Sequence, residues 1–202
     1  MDLIHYKPTA LEEWINTQYQ YACIHYPSDL DVEMIADMFD IDVRYYEGPS
    51  VADYPEDEKA VIFIDSRLNT TQHQREAFFH ELCHPLKHVG DQDNMPRSFR
   101  DLQEMQAAQF QYYAAMPYYM LGEFKHISPS LLVKTIAEEF MLPERFVERR
   151  LDQVKRRIHI GRQDDEINAR MKHPVRVTMA DVRRIMDEFG QRRNEREGTY
   201  DG

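Results

Sequence analysis

The run His80-Glu81-Leu82-Cys83-His84 brings its reactive side chains together only if the middle of this chain is helical. Two imidazoles four residues apart stand on one helical face, about 5.4 Å apart along the axis, where their ring nitrogens close on a single metal ion. Glu81 sits beside them as a base for water whose pKa such a metal lowers towards about 7, and the chemistry this points to is amide hydrolysis. A 202-residue chain with nine His and eighteen Glu carries the pattern by chance about 0.035 times, so the neighbouring residues must support it. They do so in two ways. Thr71 to Gln74 forms a capping-box-like start, and Ala77, Phe78, Leu82, Leu86 and Val89 recur at helical spacing before Gly90, a stop signal.

Pro85 departs from a regular helix. Its missing N–H would have bonded the Glu81 carbonyl and its ring clashes there, at about 3 kcal/mol in a helix interior, so a kink or helix end is expected. Proline also biases His84 away from helical backbone. A catalytic site needs a third protein ligand, and a carboxylate on a neighbouring helix commonly completes such a pair. Glu104 is the candidate, with Asp101 and Glu76 as competitors. It lies past a loop marked by Gly90, Asp91, Asp93, Asn94 and Pro96, on a pattern of Phe99, Leu102, Ala107, Phe110 and Ala114 that Met116-Pro117 ends. His88 continues the histidine row but lies about 11 Å along the axis from His80, too far for all three to share one ion, so it reads as a support behind the ligands or a solvated side chain. Cys83 reads as a small buried filler. Tyr112, Tyr113, Tyr118 and Tyr119 are candidate oxyanion stabilisers, with aromatic packing the competing role for each.

Phe79 to His84, followed by Leu102-Gln103-Glu104, Ala107, Phe110 and Met116-Pro117, resembles the ImmA/IrrE family of metallopeptidases. Upstream, Ile35-Ala36 with Phe39-Asp40-Ile41, then Val61 to Asp65, resemble that family's first helix and its sheet strand, so the likeness covers roughly residues 28 to 151. The resemblance implies that His80, His84 and Glu104 are ligands of Zn(2+) and that Glu81 is the catalytic base. It also implies a role: members are commonly encoded by phages and integrative elements, where they relieve repression by cutting a helix-turn-helix repressor.

The expected fold is α+β. Residues 1–127 would form a mostly helical, zincin-like metallopeptidase domain with a small sheet packed on the motif helix, and 128–202 a helical C-terminal segment. A capping box from Thr9 to Glu12 opens a first helix with Leu11, Trp14, Ile15, Tyr19 and Ala22 on one face, and a second helix runs from Asp29 to Phe39. Val43–Tyr46 and Ala60–Asp65 read as strands separated by a loop with Gly48, Pro49 and Pro55. Ala60–Asp65 is a candidate edge strand for an extended substrate, or a core strand under the helix. Ile136-Ala137, Phe140, Val147, Leu151, Val154 and Ile158 resemble a helix-turn-helix pair, with Pro143 starting its second helix and Met141 where glycine is usual. Arg145, Arg149, Arg156 and Arg157 suit phosphates, but Glu144, Glu148 and Asp152 alternate with them as on a solvated face. Thr178 is expected to cap a last helix with Val182, Ile185, Met186 and Phe189, and 191–202 reads as a frayed tail.

Charge separates the two parts. Residues 1–127 carry 9 Lys plus Arg against 22 Asp plus Glu, net −13, while 128–202 carry 16 against 14, net +2. An acidic catalytic part repels phosphate backbones and attracts a basic protein, or is an ordinary solvated surface; with the repressor that the resemblance implies, the expected partner is a protein substrate, a basic helix-turn-helix repressor, and neither nucleic acid nor membrane. With 42% hydrophobic and 30% charged residues, no basic leader followed by an apolar run, and apolar runs as short as Val61–Ile64, the chain reads as cytoplasmic. Cys23 and Cys83 make no disulfide framework. The competing functions are a non-proteolytic binding module on the same fold and a DNA-binding regulator acting through 128–158. Glu81 argues for the peptidase, because a structural metal site requires no base.

Overall fold

The first helix, α1 (Ala10–Tyr21), starts where Thr9 stops being extended and its hydroxyl accepts from the Glu12 N–H at 3.1 Å, while the Glu12 carboxylate accepts from the Thr9 N–H at 2.9 Å. That reciprocal pair satisfies donors the helix start leaves unbonded. Its apolar face is the expected one, with Ile15 and Tyr19 buried and Leu11, Trp14 and Ala22 packed partly against the core. The structure, a computed structural model, describes residues 2–54, 58–88 and 95–172 together with Ala180, Arg183 and Arg184. Of the predicted last helix only Ala180, Arg183 and Arg184, all helical, are described; its apolar face, the tail and the Gly90 stop lie outside the described residues.

A short 3₁₀ turn (Pro27–Asp29) precedes α2 (Val32–Met38), which is capped by Asp31 and so begins later than the expected Asp29. Three strands follow: β1 (Asp42–Tyr46), β2 (Val51–Asp53) and β3 (Val61–Asp65). Their order is β1-β3-β2, with β1 parallel and β2 antiparallel to β3. This corrects the edge-strand expectation. β3 is paired on both sides, has Ile62 and Ile64 buried, and has no free ladder groups for a substrate, so its role is the core strand. β2, which the sequence pattern assigns to a loop because three residues are too few to show a period, is an edge.

Next come α3 (Thr71–Glu81) and α4 (Cys83–Lys87), then α5 (Arg97–Ala115), which Met116-Pro117 ends as expected, and a 3₁₀ stretch (Tyr118–His126). α6 (Pro129–Phe140) and α7 (Glu144–Lys172) complete the described chain. α3 packs between β3 and α5, so Phe78 and Phe79 are buried on one side of the motif helix while its other side stays available. Gln111 of α5 fixes the pairing by donating to the Glu76 carbonyl at 2.7 Å.

The chain divides into two compact units, Met1–Gly161 and Arg162–Gly202. Within the first, Ile136, Ala137, Phe140, Leu142, Phe146, Val147, Leu151 and Val154 belong to the same apolar core as α1, α3 and α5. Met141 joins α6 to α7 in the left-handed region, φ 52°, the conformation for which glycine is usual in such turns. Gly161 sits where a Cβ would clash with the His5 carbonyl oxygen, so only glycine lets α7 approach the N-terminal segment this closely. Among the described residues, no helix is long and apolar enough to cross a membrane.

Candidate metal centre

The motif helix starts one residue earlier than its pattern suggests. Thr70, not Thr71, is the N-cap: its backbone is extended (φ −141°, ψ 149°), its hydroxyl accepts from the His73 N–H at 3.3 Å, and Gln74 Nε2 donates to the Leu68 carbonyl instead of closing a box. Two adjacent threonines are equivalent in sequence, and the turn out of β3 decides between them. The proline expectation has a clear counterpart. α3 ends at Glu81 and α4 begins at Cys83, and the carbonyl left without its Pro85 partner belongs to Glu81. The break thus falls between the histidines, not beyond them. Leu82 nevertheless keeps right-handed helical backbone (φ −58°, ψ −28°), so His80 and His84 stay on one side with ring centroids 5.5 Å apart.

α5 brings the carboxylate. His80 Nε2 lies 3.2 Å from Glu104 Oε2, and His84 Nε2 lies 3.8 Å from Glu104 Oε1. One ligand atom from each of the three residues can be chosen so that all lie within 4.8 Å of one another. Neighbouring ligand atoms around a tetrahedral zinc, with bonds of about 2.0–2.1 Å, are roughly 3.3 Å apart, so this donor set fits such an ion. Asp101 and Glu76, the competing carboxylates, are not in the group. Glu81 stands alongside, its Oε2 4.0 Å from His84 Nε2.

Burial tunes these groups. It pushes the His84 imidazole down to about 4, against the pull of the Glu104 carboxylate, so the ring is neutral at pH 7, the form that ligates. Burial also raises the Glu81 carboxyl, helped by Glu104 and opposed by His80 and by the Ala52 N–H of β2, which donates to it. The Cys83 thiol is buried and pushed up to about 12, which keeps it protonated and matches a filler role.

Each of the four tyrosines makes a packing or backbone contact. Tyr113 lies under the Arg150 guanidinium, Tyr112 stacks near Phe146, Tyr118 stacks on Tyr6, and the Tyr119 hydroxyl donates to the Ile24 carbonyl at 3.0 Å. One feature went unseen in the sequence, and one was left open there. Arg150, one arginine in a charged helix, is 1% exposed and bonds Glu12 at 2.8 Å. His88 is buried with its Nδ1 3.0 Å from His84 Nδ1, and the i, i+4 spacing of those two was the available signal.

Comparison with known proteins gives a consistent result. The profile of the IrrE N-terminal-like domain, peptidase family M78, matches residues 36–152. The chain is 34% identical over 149 residues to the phage-like element PBSX protein XkdA of Bacillus subtilis (strain 168), covering 73% of this chain and 74% of that one. It is 30% identical over 149 residues to the uncharacterized protein YqaB of the same strain, covering 73% and 86%.

Proposed function

Given that the chain belongs to the IrrE N-terminal-like family of M78 peptidases, we propose that it is a zinc-dependent endopeptidase that cuts a protein partner, a basic helix-turn-helix repressor of a mobile element. The observation that carries this reading is the convergence of His80, His84 and Glu104 with Glu81 beside them. His80, His84 and Glu104 would hold the ion, which when bound supplies Lewis acidity towards water and the scissile carbonyl. Glu81 takes the proton from the attacking water and passes it to the leaving amine, and its raised pKa brings it closer to neutral pH, where a base of this kind works best. The β2 edge lies against the site through Ala52 and offers main-chain groups to an extended peptide.

The partner is inferred from two supports. XkdA carries the name of a phage-like element, and the −13 charge of residues 1–127 favours a basic protein. A repressor bound to DNA places the reaction in the cytoplasm. The test is co-expression with basic helix-turn-helix repressors as substrates, comparing the natural protein with Glu81→Gln. Cleavage by the natural protein and an intact partner with Glu81→Gln is the expected outcome. Relief of repression by both proteins with the partner uncut would establish sequestration instead.

A further inference from the structure

The metal-facing nitrogen of His84 is Nε2, since that atom points to Glu104, which leaves Nδ1 on the opposite side of the ring. There it meets His88 Nδ1 at 3.0 Å, with the two rings edge to face at 63° and 5.0 Å between centroids. His88 is placed for this by the end of α4. Its N–H closes the last turn on the His84 carbonyl at 3.0 Å, its backbone then becomes extended (φ −111°, ψ 144°), and its side chain is 6% exposed. Its Nε2 is buried, and Gln106 is the side-chain hydrogen-bonding neighbour of the ring.

Two nitrogens 3.0 Å apart share one proton. If His84 Nε2 is to give its lone pair to a metal, the ring's proton must sit on Nδ1, and His88 Nδ1 must then be the acceptor. We propose that His88 is a positioning residue that fixes the tautomer and ring orientation of His84, a buried imidazole acting where metal-bound histidines usually lean on a carboxylate or a carbonyl. His88 itself touches no metal. The opposite arrangement, His88 donating to His84 Nδ1, would put the His84 proton on the nitrogen the metal needs. This inference rests on the proposed role of His84 as a ligand.

The test is zinc affinity by competition with a chromogenic chelator, for the natural protein, His84→Ala, His88→Leu and His88→Asn. Asparagine keeps an acceptor near the Nδ1 position, whereas leucine fills the space without one. His88→Leu is expected to bind zinc 10–100-fold more weakly, as loss of such a partner does elsewhere, and His88→Asn to stay within about threefold of the natural protein. Equal affinity of His88→Leu and the natural protein, or equal weakness of His88→Asn and His88→Leu, overturns the proposal. Should His88→Leu fail to fold, long-range ¹H–¹⁵N spectra of the natural protein decide the matter: His84 protonated at Nδ1 supports it, and His84 protonated at Nε2 overturns it. A natural protein that binds zinc no better than His84→Ala would remove the metal reading itself and this inference with it.

Discussion

At the scale of single residues, the four side chains of the proposed site differ in how sequence and fold define them. His80, Glu81 and His84 are tied by spacing, which a helix alone converts into proximity. Glu104 is tied to them only by packing of α5 on α3, secured through Gln111 and the Glu76 carbonyl. Glu104→Ala is therefore expected to lower bound zinc to a small fraction of one ion per chain, measured by mass spectrometry of dialysed protein, without unfolding it, because the Glu104 side chain is 47% exposed. An undiminished stoichiometry would remove Glu104 from the ligand set. Glu104 was the candidate in the sequence, and the direction in which α5 faces α3 leaves Asp101 and Glu76 outside the group.

At the scale of elements, the break between α3 and α4 is the informative event. Proline predicts it from first principles, since the Glu81 carbonyl has no N–H to meet. Its position between the histidines was not readable, because a helix can relieve the clash on either side of His84. Pro85→Ala restores the missing donor and is expected to stabilise the metal-free protein in urea unfolding. The gain should be below the ~3 kcal/mol of a proline in a regular helix, since the break has already relieved much of the clash. No change, or a loss of stability, would show that the break has another cause. The strands teach the complementary lesson. β3 was visible as a β-branched run, but its central place depends on β2, three residues whose strand character exists only through pairing.

At the scale of the whole molecule, two charge effects act. Glu12 and Arg150 pair at 2.8 Å with side chains 2% and 1% exposed, tying α1 to α7 across 138 residues of sequence. Burial pushes the Glu12 carboxyl up, but Arg150, the Tyr6 hydroxyl and the Thr9 N–H together outweigh it and hold it below the ordinary carboxylate range. A depressed folded-state pKa stabilises the protein above the unfolded pKa, and that stabilisation is lost as the pH falls through the folded value. Stability to urea should thus decline on acidification below about pH 4.3, the ordinary Glu value, and part of the decline should vanish in Glu12→Gln. Breaking this pair is expected to cost about 3–5 kcal/mol at pH 7, because Arg150 is left buried and unpaired. The second effect is long-range. With −13 on residues 1–127, cleavage of a basic partner should slow as salt rises from 50 to 300 mM, and a rate indifferent to salt would refute electrostatic capture.

The sequence by itself determined the local features: the Thr9–Glu12 cap, the helix under the histidine pair, the proline fault in it, the β-branched β3 and the end of α5 at Met116-Pro117. Each follows from interactions within a few residues, where spacing and backbone chemistry suffice. Only the tertiary structure decided that Asp101 and Glu76 stand apart from the histidines, which strand is the edge, that Arg150 is an interior ion-pair partner and that His88 meets His84. Those depend on which faces of distant elements meet, and that choice is made by burial of the shared core as a whole.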